Sequence, residues 1–242
     1  MRNIKKCDIC NRACKVCDGT SCIHNIPLLS SLDEYELKDI SQGIVTREFK
    51  KGEYIFRTGD KADRLYIVCS GKMKIYNGFA DGREQILYIY GAGDFVGAFN
   101  LLKEDEYKYN AEALENTVVS TLTKAKFDEI AIKSPTITLK ILEKAYERIR
   151  QAEMLVDRLS SNNADSKVAG LLLSLVQNFG TKEDNSIVLN LSINREEMGS
   201  YAGITRETMT RKLISFSDMG FISLEGNKKI IITDEDKLKE LL

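Results

Sequence analysis

The cysteines are the residues of this sequence best suited to chemistry. Five of the six lie close together, at Cys7, Cys10, Cys14, Cys17 and Cys22, and Cys69 stands alone. Thiolates are soft ligands that bind zinc and iron–sulfur clusters. In a chain expected to be cytosolic, such clustering favours a metal site over disulfides. Residues 1–26 are also polar and short of large aliphatic side chains, so we predict a cysteine-rich metal-binding arm over 1–26.

The spacing of these cysteines is compatible with three kinds of centre. An iron–sulfur cluster needs four converging thiolates, which closely spaced cysteines on a loop can provide. Two Cys-x2-Cys knuckles, beginning at Cys7 and Cys14, could instead bind zinc, although their three-residue spacer is short for a zinc ribbon. A dithiol switch without metal is the third. A ferredoxin-like electron carrier is not expected, because its C-x2-C-x2-C-x3-C-P spacing is absent, and the single histidine, His24, is interpreted as a loop residue.

A helix-turn-helix is predicted in the C-terminal part of the chain. Asn194, followed three residues later by Glu197, has the spacing of a capping box that begins a short helix. Ala202-Gly203 then supplies a tight turn, with a small residue for close approach and a glycine for a positive φ. Thr205 is placed to cap a second helix, which is predicted over 206–218.

The second helix carries side chains that can read DNA. Met209, Leu213 and Phe216 share one face and are expected to point inward. The opposite face and its shoulders carry Arg206, Glu207, Thr210 and Arg211. Arginine can pair with guanine, glutamate accepts from cytosine N4, and threonine bonds a base edge or contacts a thymine methyl. The remaining expected DNA contacts are Thr205 at the helix start and, on a hairpin wing over 221–233, Lys228 and Lys229.

The elements that must position these residues are a β-domain, a long helix and the winged helix. Over 27–135, short β-like runs between glycine turns predict a small β-barrel or jelly roll, with strands over Glu53–Phe56, Leu65–Val68, Lys72–Tyr76, Gln85–Tyr90 and Val118–Thr123. A dimerisation helix is predicted over 136–161, and residues 162–242 form the DNA-binding domain. The fold class is therefore α+β.

The long helix carries apolar residues at alternating steps of three and four, the a/d spacing of a coiled coil. They are Leu142, Ala145, Ile149, Ala152, Val156 and Leu159. One interpretation is a helix packed on its own β-domain. We favour a parallel dimer seam, because so narrow a stripe is less than packing within a domain usually requires.

Composition limits the remaining function classes. The net charge is −1, with 43% hydrophobic and 29% charged residues, as in an ordinary globular protein. Residues 162–242 are slightly acidic, so any basic footprint for DNA must be local. No run approaches the ~20 apolar residues that span a bilayer, and we expect no membrane association. No Ser/His/Asp set or phosphate-binding glycine loop is present, so an enzyme is not expected. A DNA-independent redox or metal-binding protein is the alternative class.

The run from Glu196 to Leu213 resembles the recognition motif of the CRP/FNR family, G-x-x-x-G-h-[ST]-x-E-T-h-[GS]-R-x-L. Lys51-Gly52-Glu53 and Gly93-Asp94-Phe95-Val96-Gly97 resemble the family's β-roll. The resemblance implies a double-stranded β-helix like that of cyclic-nucleotide-binding domains, a homodimer on palindromic double-stranded DNA, and RNA polymerase as a partner. It also implies base contacts from Glu207 and Arg211. Thr210 departs from the family's serine or glycine, which leaves the outer base of the half-site open.

The resemblance bears on the signal as well. Nucleotide-binding members carry a Glu where this chain has Ala98, and an Arg-Ser pair near Tyr109-Asn110, where only Lys108 is close. We therefore expect no cyclic nucleotide, since a buried phosphate requires a charged partner.

Cys14-x2-Cys17-x4-Cys22 resembles the iron–sulfur arm of the redox-sensing branch. The branch places its fourth ligand where this chain has Ser120. Cys10 or Cys7 is the preferred replacement over Cys69, because a shorter loop costs less entropy. The resemblance implies a [4Fe-4S] cluster that couples oxygen, nitric oxide or redox state to dimerisation and DNA binding, with zinc or a thiol switch as the alternative.

Overall fold

The computed structural model describes residues 43–98, 105–133, 135–183 and 186–242. The predicted cysteine arm, with Cys7, Cys10, Cys14, Cys17 and Cys22, lies outside the described residues. The described chain divides into two compact units, one of residues 43–75 with 89–149, the other of residues 76–88 with 150–242.

The β-strands of the N-terminal half form two four-stranded sheets, with orders β1-β8-β3-β6 and β2-β7-β4-β5. The strands are β1 (Val45–Phe49), β2 (Tyr54–Phe56), β3 (Arg64–Ser70), β4 (Met73–Gly78), β5 (Glu84–Tyr90), β6 (Phe95–Val96), β7 (Asn110–Ala113) and β8 (Thr117–Thr123). Large aliphatic side chains from β3 and β8, such as Leu65, Ile67 and Leu122, are fully buried in a core cluster that also contains residues of the helices that follow the strands. The five predicted strands are confirmed to within a residue or two at each end.

Three strands of this half, β1, β6 and β7, are not predicted from the sequence. β6 has only two residues, which is too short to show an alternating pattern. β1 lies at a sheet edge and is largely exposed, so it lacks an alternation of apolar and polar residues. β7 buries only the small side chains of Ala111 and Ala113, which carry little β-propensity.

Two helices follow the strands, α1 (Lys124–Lys133) and α2 (Pro135–Ser160). The short helix α1 is not predicted, whereas the long helix α2 is. Phe127 of α1 and two residues of α2, Ile137 and Ile141, join the core of the β-roll. The first turns of α2 are therefore anchored to the β-domain by apolar burial.

The C-terminal unit is a winged helix. Its elements are α3 (Ala164–Phe179), β9 (Gly180–Glu183), β10 (Ser186–Asn190), α4 (Arg195–Ala202), α5 (Arg206–Asp218), β11 (Ile222–Glu225), β12 (Lys229–Ile232) and α6 (Glu235–Lys239). The strands form one antiparallel sheet, β11-β12-β10-β9. This order confirms the predicted hairpin wing, and the α+β class is confirmed for the described part of the chain.

None of the helices in the described ranges is long and apolar enough to cross a membrane.

Candidate nucleic-acid interface

Helix α4 begins and ends as the sequence predicts. The Asn194 side chain accepts hydrogen bonds from the backbone N–H groups of Glu196 and Glu197, each at 2.9 Å, and Glu197 Oε2 accepts from the Asn194 N–H at 2.8 Å. This reciprocal arrangement is the capping box. The helix ends at Gly203 with φ of 68°, and a Cβ there would strike the Leu159 side chain. The turn therefore favours glycine for its conformation, and a Cβ would also force the end of the Leu159 side chain to shift.

Helix α5 is held from three sides. Thr205 caps its N-terminus by accepting from the Thr208 N–H at 3.2 Å. The predicted inner face is confirmed, because Met209, Leu213 and Phe216 are fully buried. The Lys212 ammonium pairs with Asp165 at 2.7 Å and ties α5 to α3. A helix fixed in this way presents its outer face without having to order its backbone on binding.

The outer face of α5 brings together the four predicted side chains. Arg206, Glu207, Thr210 and Arg211 line one open groove of about 500 Å³, together with Ile214. Ile214 is not predicted, because apolar residues of an amphipathic helix are expected to point inward. It lies four residues after Thr210, on the same face, and remains 51% exposed. The sequence did contain a signal for Ile214, namely its position one helical turn after Thr210, a predicted base contact.

Hydrogen bonds adjust the chemistry of two residues in this groove. The Glu207 pKa lies below its ordinary value, chiefly because the carboxylate bonds to its own backbone N–H at the helix start, and also because Thr205 donates to it. Glu207 is therefore ionised at neutral pH and can only accept. The Thr210 hydroxyl donates to the Arg206 carbonyl at 2.9 Å. Its proton is thereby occupied, so Thr210 presents a lone pair and a methyl group.

The two lysines of the wing differ in their surroundings. Lys228 is exposed at the turn between β11 and β12. The Lys229 ammonium bonds to Glu225 at 2.9 Å, and this hydrogen bond raises the Lys229 pKa. Lys228 is thus more available for a phosphate contact, whereas the charge of Lys229 is partly neutralised by its ion pair with Glu225.

The predicted seam of α2 lies open in the single chain. Leu142, Ile149 and Val156 are 60%, 58% and 61% exposed, while Ala145, Ala152 and Leu159 are half-buried. Leu139 and Tyr146, which the a/d pattern does not include, widen the exposed stripe.

A different face of the same helix packs inward. It carries Ile137 and Ile141 in the core of the β-roll, and Arg148, whose guanidinium lies 4.1 Å from the Tyr90 ring and 3.7 Å from Asp94. At about 100° per residue, these positions lie roughly a quarter turn from the seam. Helix α2 therefore packs on the β-domain with one face and leaves an apolar stripe exposed on another. The Arg148 side chain belongs to the packed face.

At the β-roll positions where nucleotide-binding members carry Glu and Arg-Ser, this chain has the uncharged side chains of Ala98, Tyr109 and Asn110. Ala98 is buried, and Asn110 accepts from the Thr58 N–H at 3.0 Å. Lys108 is largely exposed and pairs with Asp105. Tyr107 stacks on Phe56 at 3.9 Å between ring centroids, and burial raises its pKa. These positions supply packing and backbone hydrogen bonds.

Cys69 lies beside the position of the expected fourth cluster ligand. It is on β3 next to β8, and its Sγ is 3.1 Å from Ser120 Oγ. Among the residues the structure describes, no group of three or more His, Cys, Asp or Glu side chains is arranged to hold a metal. Any complete cluster site must therefore draw ligands from outside them.

Comparisons with known proteins agree with this geometry. Residues 46–134 match the family described as cyclic nucleotide-binding domain, and residues 166–241 match the Crp-like helix-turn-helix domain. The chain belongs to the CRP/FNR family. CRP/FNR proteins are transcription regulators that bind DNA and act as dimers, so this one is a DNA-binding transcription regulator and not an enzyme.

Its CRP/FNR relatives include proteins named for different signals. It is 31% identical to the "CRP-like cAMP-activated global transcriptional regulator" of Mycobacterium tuberculosis, over 79% of this chain and 85% of that protein. It is also 31% identical to the "Fumarate and nitrate reduction regulatory protein" of Vibrio cholerae, over 87% of this chain and 84% of the relative. The fold is that of FixK2 from Bradyrhizobium japonicum, with a TM-score of 0.73 and 24% identity over 82% of this chain and 96% of FixK2.

Proposed function

We propose that two copies of this regulator read a palindromic DNA site through the outer face of α5, under the control of a metal centre on the N-terminal cysteines. The gathering of Arg206, Glu207, Thr210 and Arg211 in one exposed groove carries the first part. All four belong to a helix whose opposite face is fully buried.

The chemistry of the groove suggests how each half-site is read. Arg206 and Arg211 suit guanine O6 and N7, and ionised Glu207 suits the amino group of cytosine. Thr210 keeps a lone pair and a methyl group, so it accepts from an amino group or contacts a thymine methyl. Ile214 adds an apolar contact of the latter kind.

The backbone contacts come from residues beside the groove. Thr205 lies at the N-terminus of α5, where a helix favours phosphate. Lys228 and Lys229 meet phosphates from the wing.

The dimer forms through the exposed stripe of α2. The stripe combines the exposed Leu142, Ile149 and Val156 with the half-buried Ala145, Ala152 and Leu159. Exposed apolar area of this kind is typical of an interaction surface, and heptad spacing favours a parallel pair of helices. Two such subunits would present two α5 helices to successive major grooves, about 34 Å apart. RNA polymerase is the further partner we propose at promoters.

We propose that the signal is received by an iron–sulfur cluster held by Cys14, Cys17, Cys22 and a fourth thiolate. A bound cluster supplies a centre that oxygen or nitric oxide alters. The spacing of the arm supports this proposal, as do relatives named "Fumarate and nitrate reduction regulatory protein" and "Anaerobic regulatory protein". Structural zinc and a metal-free dithiol remain the alternatives, and the buried, uncharged surroundings of Ala98 argue against a cyclic nucleotide.

The contact between Cys69 and Ser120 changes the ranking of the fourth ligand. Loop entropy favours Cys10 or Cys7 over Cys69. However, the Cys69 thiol lies 3.1 Å from the side chain at the family's ligand position, so it can offer sulfur at nearly the same point of the β-roll. We therefore place Cys69 level with Cys10 and Cys7.

The test begins with protein purified without oxygen. Its ultraviolet–visible spectrum, together with iron, sulfide and zinc analysis, distinguishes a cluster from zinc or free thiols. The variants Cys7→Ala, Cys10→Ala and Cys69→Ala then identify the fourth ligand as the one whose loss removes iron and sulfide. Colourless protein without iron, or DNA affinity that ignores air, contradicts the cluster.

The DNA-binding part has its own test. A site selected from random duplexes should be palindromic, and Glu207→Ala with Arg211→Ala should abolish its selection. Unchanged selection by the double variant would contradict the base-reading roles of these two residues. Failure of the wild-type chain to select any site would instead favour a DNA-independent metal-binding protein.

A further inference from the structure

The C-terminal unit contains a cavity of about 470 Å³ that the DNA-binding function does not use. Its walls are the last turns of α2, the helix α3, Tyr201 at the end of α4, and Leu87 and Tyr88 of β5. Ligand cavities have volumes of roughly 300–1,000 Å³. The cavity is therefore large enough for a small organic molecule.

One wall carries a charged group without a matching charge. The Arg158 guanidinium lies 4.6 Å from the centre of the Tyr201 ring. Its Nε is buried and has no hydrogen-bond partner, and among the described residues no carboxylate forms an ion pair with it. A buried donor without a partner costs about 1–3 kcal/mol, and more when the group is charged.

Burial also lowers the pKa of Arg158, and a side-chain hydrogen bond with Tyr201 opposes this shift. The guanidinium nonetheless stays protonated at neutral pH, because arginine is effectively always charged. It is therefore a permanent cation at the edge of a cavity.

Neighbouring elements keep this arrangement in place. The Arg158 stem passes beside Gly170, where a Cβ would lie 3.9 Å from the Arg158 Cδ. The β5 wall is fixed to α4 by Ser200, whose hydroxyl donates to the Glu84 carbonyl at 2.6 Å and accepts from the Ile86 N–H at 3.1 Å. The cavity is thus lined by apolar side chains, by polar groups that include the carboxylate of Asp157, and by the Arg158 guanidinium, which forms no ion pair with that carboxylate.

We infer that this cavity binds a small amphipathic organic anion, whose carboxylate or phosphate pairs with Arg158. Leu87, Leu155 and Leu173 contact its apolar body, and the hydroxyls of Ser166 and Ser174 lie within the same lining. The bound anion supplies the acceptors that Arg158 Nε lacks. Charge-assisted pairs with arginine are the strong class of hydrogen bonds.

Occupancy would also act on the DNA-binding helices. The cavity is bounded by α2, α3 and α4, and α4 leads through Gly203 into α5. A ligand that binds one arrangement of these helices better than another shifts the population that binds DNA. This regulatory consequence rests on the proposed function, whereas binding of the anion does not.

Binding is tested by calorimetry or ligand-observed NMR, without DNA, using three probes that share one apolar body. They are 4-phenylbutyrate, its neutral amide, and 3-phenylpropyl phosphate. We expect the better anion to bind the wild-type chain at least about tenfold more tightly than the amide. Tighter binding of the carboxylate or of the phosphate identifies the headgroup that the cavity prefers.

Two variants locate the site, and one serves as a control. Arg158→Gln removes the cation, and Ser174→Phe fills the cavity while leaving the cation. Each should weaken anion binding by about tenfold or more. Arg150→Gln removes an exposed arginine of the same helix and should leave binding unchanged. Circular dichroism checks that each variant is folded.

Three results would overturn the inference. They are equal binding of amide and anion, unchanged binding by Arg158→Gln, and no saturation below about 10 mM for either anion. A DNA titration then follows with and without the anion. Failure of the unliganded protein to bind DNA contradicts the proposed function alone, because the binding measurements contain no DNA.

Discussion

Replacing Ile149 by alanine measures the contribution of the exposed stripe of α2 to the dimer. Each buried CH2 contributes about 0.8 kcal/mol, and the substitution removes three carbons, or about 2.4 kcal/mol. Because Ile149 is 58% exposed in the single chain, that fraction of its burial remains available to a partner. The loss is therefore about 1.4 kcal/mol per chain and about 2.8 kcal/mol per dimer. This corresponds to a dimer dissociation constant about 100-fold higher.

Sedimentation equilibrium on anaerobic, DNA-free protein measures this constant. The matched control is Ile132→Ala, the same change at an 81% exposed position on α1, away from the stripe. We expect it to alter the constant less than about threefold. Alanine is the better helix former, so melting of α2 cannot imitate the effect. The seam is refuted if Ile149→Ala shifts the dissociation constant no more than Ile132→Ala does.

The remaining predictions concern the winged helix. Arg211→Gln should cost about 1–3 kcal/mol of discrimination at one base pair in competition binding. Lys228→Ala should weaken binding to all sequences alike and reduce the slope of log affinity against log salt concentration by about 1. Loss of discrimination in the Lys228→Ala variant would contradict these roles. Gly203→Ala should lower the free energy of unfolding by about 1–3 kcal/mol, since a left-handed φ strains alanine and its Cβ would force the Leu159 side chain to shift. Gly220→Ala, also at positive φ but in open space, is its control and should cost less, and equal urea midpoints would show that the close approach is unimportant. The lowered pKa of Glu207 means that its stabilising effect is present above the ordinary value of 4.5 and is lost as pH falls through the lower, folded-state pKa. Thermal unfolding of Glu207→Gln should therefore differ from wild type at pH 7 and converge with it in acid, and a constant difference would contradict the assignment.

Local sequence signals account for much of the DNA-reading half. The capping box of Asn194 and Glu197, the glycine turn and the Thr205 cap each depend on residues within four positions of one another. Such interactions join residues that are close together in the chain, so their spacing can be recognised in the sequence. The inner face of α5 follows equally from its helical period, since the side chains at i, i+4 and i+7 are all buried.

The exposed apolar stripe of α2 could be predicted from the sequence only in part. Heptad spacing marks the stripe, but the exposed Leu139 and Tyr146 lie outside the a/d positions. The packing of Arg148 on Tyr90 joins residues 58 positions apart, and no periodic pattern in the sequence predicts it.

The cysteines also show which features follow from local sequence and which depend on the tertiary structure. The sequence by itself determined that cysteines cluster near the N-terminus, that one helix carries the side chains proposed to read bases, and that the chain is a β-roll joined to a winged helix. Only the tertiary structure decided that Cys69 lies against Ser120, 51 residues away, and that the Arg158 guanidinium lies beside Tyr201 with its Nε buried and unpaired. Both depend on which strands and helices become neighbours. That choice is made by the burial of side chains distant in sequence, and no local spacing encodes it.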